Sequence, residues 1–262
     1  MKAFLIDVAR CNGCRNCQIS CKDEHCGTSW MPYAAEQPMT GQFWCNVDEK
    51  VRGSVPVVKV SYTPRLCGHC DDAPCMEVAV NNAVYRREDG LVIIDPAKAK
   101  GQKAIVEACP MGAVYWNDEL DLPQKCTGCA HLLDDGWAVP RCVDACPTDA
   151  LAFGEESELD LAGAELLEPV AGLGAHVWYK NLAKRFVAGC LVDFKTREVV
   201  IGADVVLEDG EGAQIASMKT DEFGDFLFDQ VPAAQYVVKV AGKKLAVDAT
   251  EKDINLGDID SE

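Results

Sequence analysis

The run Cys11-Asn12-Gly13-Cys14-Arg15-Asn16-Cys17-Gln18-Ile19-Ser20-Cys21 sets four thiols at CxxCxxCxxxC spacing. A second set lies far along the chain: Cys126-Thr127-Gly128-Cys129, a 12-residue spacer, then Cys142-Val143-Asp144-Ala145-Cys146-Pro147. Between them stand Cys67, Cys70 and Cys75, and a solitary Cys109 followed by Pro110. Fourteen of the 15 cysteines precede residue 147, and most are grouped as CxxC or CxxxC. An odd count grouped in this way does not read as a disulfide framework, which belongs mostly to small secreted domains.

The spacing is that of thiolates holding [4Fe-4S] clusters in bacterial ferredoxins. Three thiols on a short loop wrap one cluster, and the fourth, a helical turn later, points to its neighbour, so two runs exchange their last cysteines. The outer runs then give one set on Cys11, Cys14, Cys17 and Cys146, and a second on Cys126, Cys129, Cys142 and Cys21. In the middle pair the exchanged cysteine after Cys75 is replaced by Ala79, with Val80 where proline would follow. Counting back from Cys109, the loop positions are Ala99, Gln102 and Ile105. All four missing ligands belong to one site, while Cys67, Cys70, Cys75 and Cys109 make a complete third set. One cluster has been deleted whole, leaving three on twelve cysteines. Zinc is the competing reading of paired CxxC motifs, but the close triplet and the Cys-Pro pairs at Cys109 and Cys146 are ferredoxin features. Cys26 and Cys45 fall outside every set and read as packing residues; His25, His69 and His131 read as neighbours of ligands.

The remaining composition excludes several roles. With 262 residues, 48% of them hydrophobic, the chain is long enough for one large or two ordinary domains. A net charge of -17 argues against nucleic-acid binding and against anionic membrane surfaces. No apolar run approaches the roughly 18 residues of a membrane span, and Met1 to Cys11 reads as a first strand rather than an export signal.

Residues 1–154 hold the cysteine groups and short strands at 3–8, 83–86, 91–94, 113–116 and 150–153, with Asp89-Gly90 marking a hairpin. Residues 155–185 read as a partly helical connector. Residues 186–262 alternate in β fashion, with strands at 186–193, 199–207, 213–218, 225–228, 235–241 and 245–248. They are expected to form a small antiparallel β-sandwich, with Cys190 as a buried core thiol. The fold class is α+β: a double bacterial-ferredoxin-like iron–sulfur domain followed by that sandwich. No acid, base or nucleophile is assigned.

The four ordered motifs resemble the iron–sulfur electron-transfer subunits that accompany molybdopterin enzymes of the dimethyl sulfoxide reductase family. Tyr85 to Gly90, Asp95-Pro96, Val114 to Asn117, Gln124 to Thr127, Ala130 to Asp135 and Tyr179 to Leu182 are most similar to the branch serving polyphenol transhydroxylases, resorcinol hydroxylases and catechol dehydroxylases. That branch also lacks one cluster and carries a C-terminal sandwich of the transthyretin or carboxypeptidase-regulatory kind, whose signature Thr220 to Phe228 resembles. The resemblance implies a large catalytic partner subunit with a molybdenum or tungsten bis-pterin cofactor, a cytoplasmic location unless the chain is exported on its partner's signal, and the Cys11 set nearest the pterin. Two other roles remain open here: a free-standing polyferredoxin, and a structural zinc protein. Trp30, Met31, Tyr33, Phe43 and Trp44 are a candidate partner surface or, equally, core.

Overall fold

Strand β1 (Lys2–Asp7) carries Phe4 and Ile6 into the core and runs into a 3-10 turn whose Asp7 side chain accepts from the Ala9 N–H at 3.1 Å. The computed structural model describes all residues, 1–262. Helix α1 (Asn16–His25) follows the first cysteine loop, and then β2 (Asn46–Ser54) and β3 (Val57–Arg65) pair with each other. Next come α2 (Pro74–Glu77), strands β4 (Val84–Arg86) and β5 (Val92–Ile94), and α3 (Ala104–Glu107). Strands β6 (Val114–Asn117) and β7 (Leu122–Lys125) precede α4 (Ala130–Asp134), α5 (Arg141–Asp144) and β8 (Leu151–Glu155). A single-turn α6 (Glu168–Ala171) leads to β9 (Val177–Lys180).

The helices are short because the metal-site loops interrupt them, and β4–β5 and β6–β7 are separate antiparallel hairpins. The β4–β5 hairpin turns at Asp89-Gly90 as its sequence predicts: Gly90 takes φ +93°, and the Arg87 N–H donates to Leu91 O at 2.9 Å. Strand β1 is central in a three-stranded sheet, antiparallel to β8 and parallel to β9. The stretch read as a connector therefore does more than link. Its last residues form a strand on the first sheet, because Val177 and Tyr179 have a buried face to fill.

The remaining strands are β10 (Arg185–Asp193), β11 (Glu198–Val199), β12 (Asp204–Asp209), β13 (Gln214–Lys219), β14 (Asp225–Val231), β15 (Gln235–Val240), β16 (Lys243–Asp248) and β17 (Ile254–Asp260). They form two four-stranded sheets, one ordered β11-β10-β14 with β17 also on β10, the other β13-β12-β15-β16. One apolar cluster takes Val187, Leu191, Phe226, Phe228 and Ile259 from the first sheet and Val205, Leu207, Tyr236 and Val238 from the second. The region is not wholly antiparallel: β17 runs parallel to β10. It arrives from β16 in the other sheet, so no tight hairpin dictates its direction. Cys190 is half-buried rather than in this core, since its neighbour Leu191 takes the inward side of the strand.

By their contacts, residues 1–49 and 62–182 group as one unit, and residues 50–61 and 183–262 as a second. In the second, the buried Arg52 guanidinium pairs with the buried Asp253 carboxylate at 3.0 Å, and the same carboxylate oxygen accepts from the Phe186 N–H at 2.9 Å. No helix is long and apolar enough to cross a membrane.

Candidate metal centres

The three cysteine sets expected from spacing are each brought together. In the first, Cys11 leaves the turn after β1, and Cys14 is positioned by its own N–H donating to the Asn12 side chain at 3.1 Å. Gly13 must be glycine here: its φ is +73°, and a Cβ would lie 2.5 Å from the Tyr62 ring. Arg15, also left-handed at φ 61°, is held by Val47 O and Glu49 at 3.1 Å and starts α1, which presents Cys17. Cys146 completes the set, its sulfur accepting from the Ala150 N–H at 3.3 Å. Burial raises the Cys11 thiol, and the neighbouring Cys17, Cys146 and Cys14 sulfurs add to the effect.

In the second set Cys21, one helical turn beyond Cys17, meets Cys126, Cys129 and Cys142. Its thiol is pushed well up, first by burial and then by those three sulfurs. The Gly128 N–H donates to the Cys126 sulfur at 3.3 Å, and burial drives Cys126 up to about 12. In the third set Cys67, Cys70, Cys75 and Cys109 line a single cavity, with Ala73, Pro74, Val92, Met111 and Val114 among its apolar walls. The His69 N–H lies 3.5 Å from the Cys67 sulfur, and the Ala113 N–H donates to the Cys109 sulfur at 3.4 Å. Burial pushes Cys70 to about 12 and Cys75 to about 11, with the other thiols of the set contributing to each.

The sites repeat one another locally. Cys109-Pro110-Met111-Gly112-Ala113 and Cys146-Pro147-Thr148-Asp149-Ala150 both point the N–H of residue i+4 at the sulfur of residue i, and each runs into a strand. The CxxC loops point the N–H of i+2 at the first sulfur, at Cys67 and at Cys126. Such donors favour thiolate, whereas burial alone opposes it. Twelve mostly buried thiols become stable ligands only when a cation compensates their charge, so metal binding and proton release are linked. No three His, Cys, Asp or Glu side chains close around one point as ligands of a single ion do.

The four positions where the motifs lack a cysteine are occupied by packed or hydrogen-bonded side chains. Ala99 and Ile105 are wholly buried in the main core and Ala79 packs against it. The Gln102 amide donates to Lys98 O at 2.8 Å and accepts from the Val80 N–H at 2.9 Å.

The three histidines are packing neighbours. Burial lowers His25 to about 3, with His131 adding to the effect. His69 is held well below its ordinary value, again chiefly by burial; its Nδ1 accepts from the Val92 N–H at 3.0 Å and its Nε2 has no partner. His131 stacks on Trp30 at 4.3 Å and meets Glu24 at 3.1 Å. Trp44 is core, 4.6 Å from the His25 ring, so it is no part of an outer aromatic surface; Met31 is exposed.

Two residues at the sites escaped the motif reading. Cys45, outside every set, is buried beside the Cys142 and Cys17 sulfurs, one from each of two sets; their proximity and burial push its thiol well up, while Cys17 is lowered chiefly by Cys45. Lys125 is buried between β5 and Cys126. The only sequence signal for either is an apolar or ligand neighbour, and burial set by distant packing cannot be read from that.

Comparison with known proteins agrees with this chemistry. Residues 58–156 match a 4Fe-4S dicluster domain. The small subunit of pyrogallol hydroxytransferase from Pelobacter acidigallici is 41% identical, over 97% of this chain and 97% of its own. A tetrathionate reductase subunit from Salmonella typhimurium is 34% identical over 71% of this chain and 74% of its own. A polypeptide of the anaerobic dimethyl sulfoxide reductase of Escherichia coli is 33% identical over 60% of this chain and 74% of its own. The chain therefore belongs to the family of iron–sulfur electron-transfer subunits of molybdopterin oxidoreductases, the family that contains the pyrogallol hydroxytransferase small subunit.

Proposed function

We propose that the chain carries electrons through three [4Fe-4S] clusters to or from a large catalytic subunit with a molybdenum or tungsten bis-pterin cofactor, acting on a hydroxylated aromatic. The observation that carries this reading is the meeting of four thiols, from residues as distant as Cys67 and Cys109, on one apolar-walled cavity. The first cluster is assigned to Cys11, Cys14, Cys17 and Cys146, the second to Cys126, Cys129, Cys142 and Cys21, and the third to Cys67, Cys70, Cys75 and Cys109. When bound, the clusters supply one-electron transfer. The protein holds them in a low-dielectric shell, directs backbone N–H groups at their ligands and excludes water. The aromatic chemistry belongs to the partner. The likeness to the pyrogallol hydroxytransferase small subunit over nearly all of both chains supports that substrate class.

The same reading makes the first region a double ferredoxin domain and residues 186–262 a transthyretin-like sandwich, and places the assembly in the cytoplasm. Purification of the native protein tests it. Co-purification of a large pterin-containing subunit and about twelve irons per chain support the assignment. A lone 28.4 kDa species would favour a free carrier, and zinc in place of iron would reject the clusters. Assay on pyrogallol and on catechols, with and without an external donor, separates the variants: donor-independent isomerisation marks a transhydroxylase.

A further inference from the structure

Lys125, the last residue of β7, is 2% exposed. Its ammonium donates to Val92 O on β5 and to Cys126 O at 3.1 Å, and no carboxylate pairs with it. An ammonium has three donors, so one remains over, and a buried cation without a counter-charge is strongly disfavoured.

Two of the thiol sets supply the surroundings in which that charge becomes tolerable. Lys125 precedes Cys126 of the second set and bonds to its carbonyl, and its other partner, Val92, lines the cavity of the third set. The Val92 peptide joins the two sides. Its C=O accepts from Lys125, its N–H donates to His69 Nδ1 at 3.0 Å, and both Val92 and His69 line the third cavity. Neither of the two hydrogen-bond partners of Lys125 belongs to the loops of the first set.

We propose that Lys125 is a fixed cation shared by the second and third cluster sites, with the anionic clusters as its counter-ions, and that it raises the reduction potential of both while leaving the first unchanged. The inference rests on the three-cluster reading above. Reduction adds negative charge, and a nearby positive charge in a low-dielectric interior stabilises the reduced form.

The test is an EPR-monitored redox titration of the intact complex with Lys125→Met, Lys125→Gln and Lys125→Arg. In the two neutral variants, two of the three couples become about tenfold harder to reduce, a fall of ~59 mV for a one-electron couple. The remaining couple, that of the first cluster, stays put, and Lys125→Arg stays near the parent. Loss of iron from the neutral variants with retention in Lys125→Arg also supports a required charge. Unchanged potentials in both neutral variants, an equal shift of all three couples, or the same iron loss in Lys125→Arg as in Lys125→Met would overturn the proposal. Failure of the underlying reading shows earlier, as a parent protein without iron or reducible signals.

Discussion

The two units of the chain obtain their interiors differently. The first holds fourteen of the 15 cysteines and all four histidines, and its core sets sulfur beside sulfur: Cys17, Cys21, Cys67, Cys70, Cys75, Cys126 and Cys142. Its strands are mostly two- or three-stranded fragments joined by loops. The second has two four-stranded sheets around Val187, Leu207, Phe226 and Val238, and its one cysteine stays out of that core. Thiols forced together with raised proton affinities make poor cement by themselves, whereas packed aliphatic and aromatic side chains need no helper. The first unit is thus built to be completed by a cofactor, and the second is complete as a polypeptide.

Iron removal bears most heavily on that contrast. Stripping the metal with a chelator under reducing conditions should cost the first unit its native packing, while the second keeps its β signal and cooperative melt. Circular dichroism with limited proteolysis reads both, and equal loss in the two would break the contrast. Next, Cys109→Ala, which deprives only the third set, should lower iron from about twelve to about eight per chain and leave the EPR signals of the other sets in place.

In the second unit, Asp253→Ala strands the buried Arg52 and should destabilise that unit by ~3–5 kcal/mol in denaturant melts. Leu207→Ala, at a wholly buried position, should cost ~2–5 kcal/mol. Iron content should not change in either variant.

A weaker effect concerns pH. His25 is neutral in the folded chain down to about 3, against an ordinary value of 6.5. Between those values the unfolded chain binds a proton that the folded chain does not, so stability is full above pH 6.5 and falls as pH drops toward 3. The second unit contains no histidine and lacks this contribution. His25→Phe should flatten the decline in the first unit; an unaltered slope would show that the His25 proton does not matter.

Legibility in sequence follows the range of the forces involved. The grouping of the cysteines into sets could be read because thiol chemistry fixes their spacing, and the β4–β5 hairpin because Asp89-Gly90 is a local turn signal. Strand β2, Asn46–Ser54, is heavily charged and gives no strand signal of its own, whereas its partner β3 carries one that the motif reading missed, Val58, Val60 and Tyr62 alternating with Lys59, Ser61 and Thr63. Strand β9 hid in a Leu/Ala-rich stretch and pairs with β1, more than 160 residues earlier. Strand β17, Ile254–Asp260, is too polar to announce itself, and its parallel partner is equally remote from any hairpin rule. The positions of Cys45 and Lys125 depend on which distant sulfurs and carbonyls meet them, so neither motif nor periodicity points there.

The proposed function rests on twelve named cysteines holding three four-iron clusters. The decisive experiment is quantification of iron and acid-labile sulfide in the anaerobically purified complex, with EPR spin counting after full reduction. About twelve irons and twelve sulfides per chain and three reducible centres are expected. About eight irons, about sixteen, or stoichiometric zinc would contradict the three-cluster assignment.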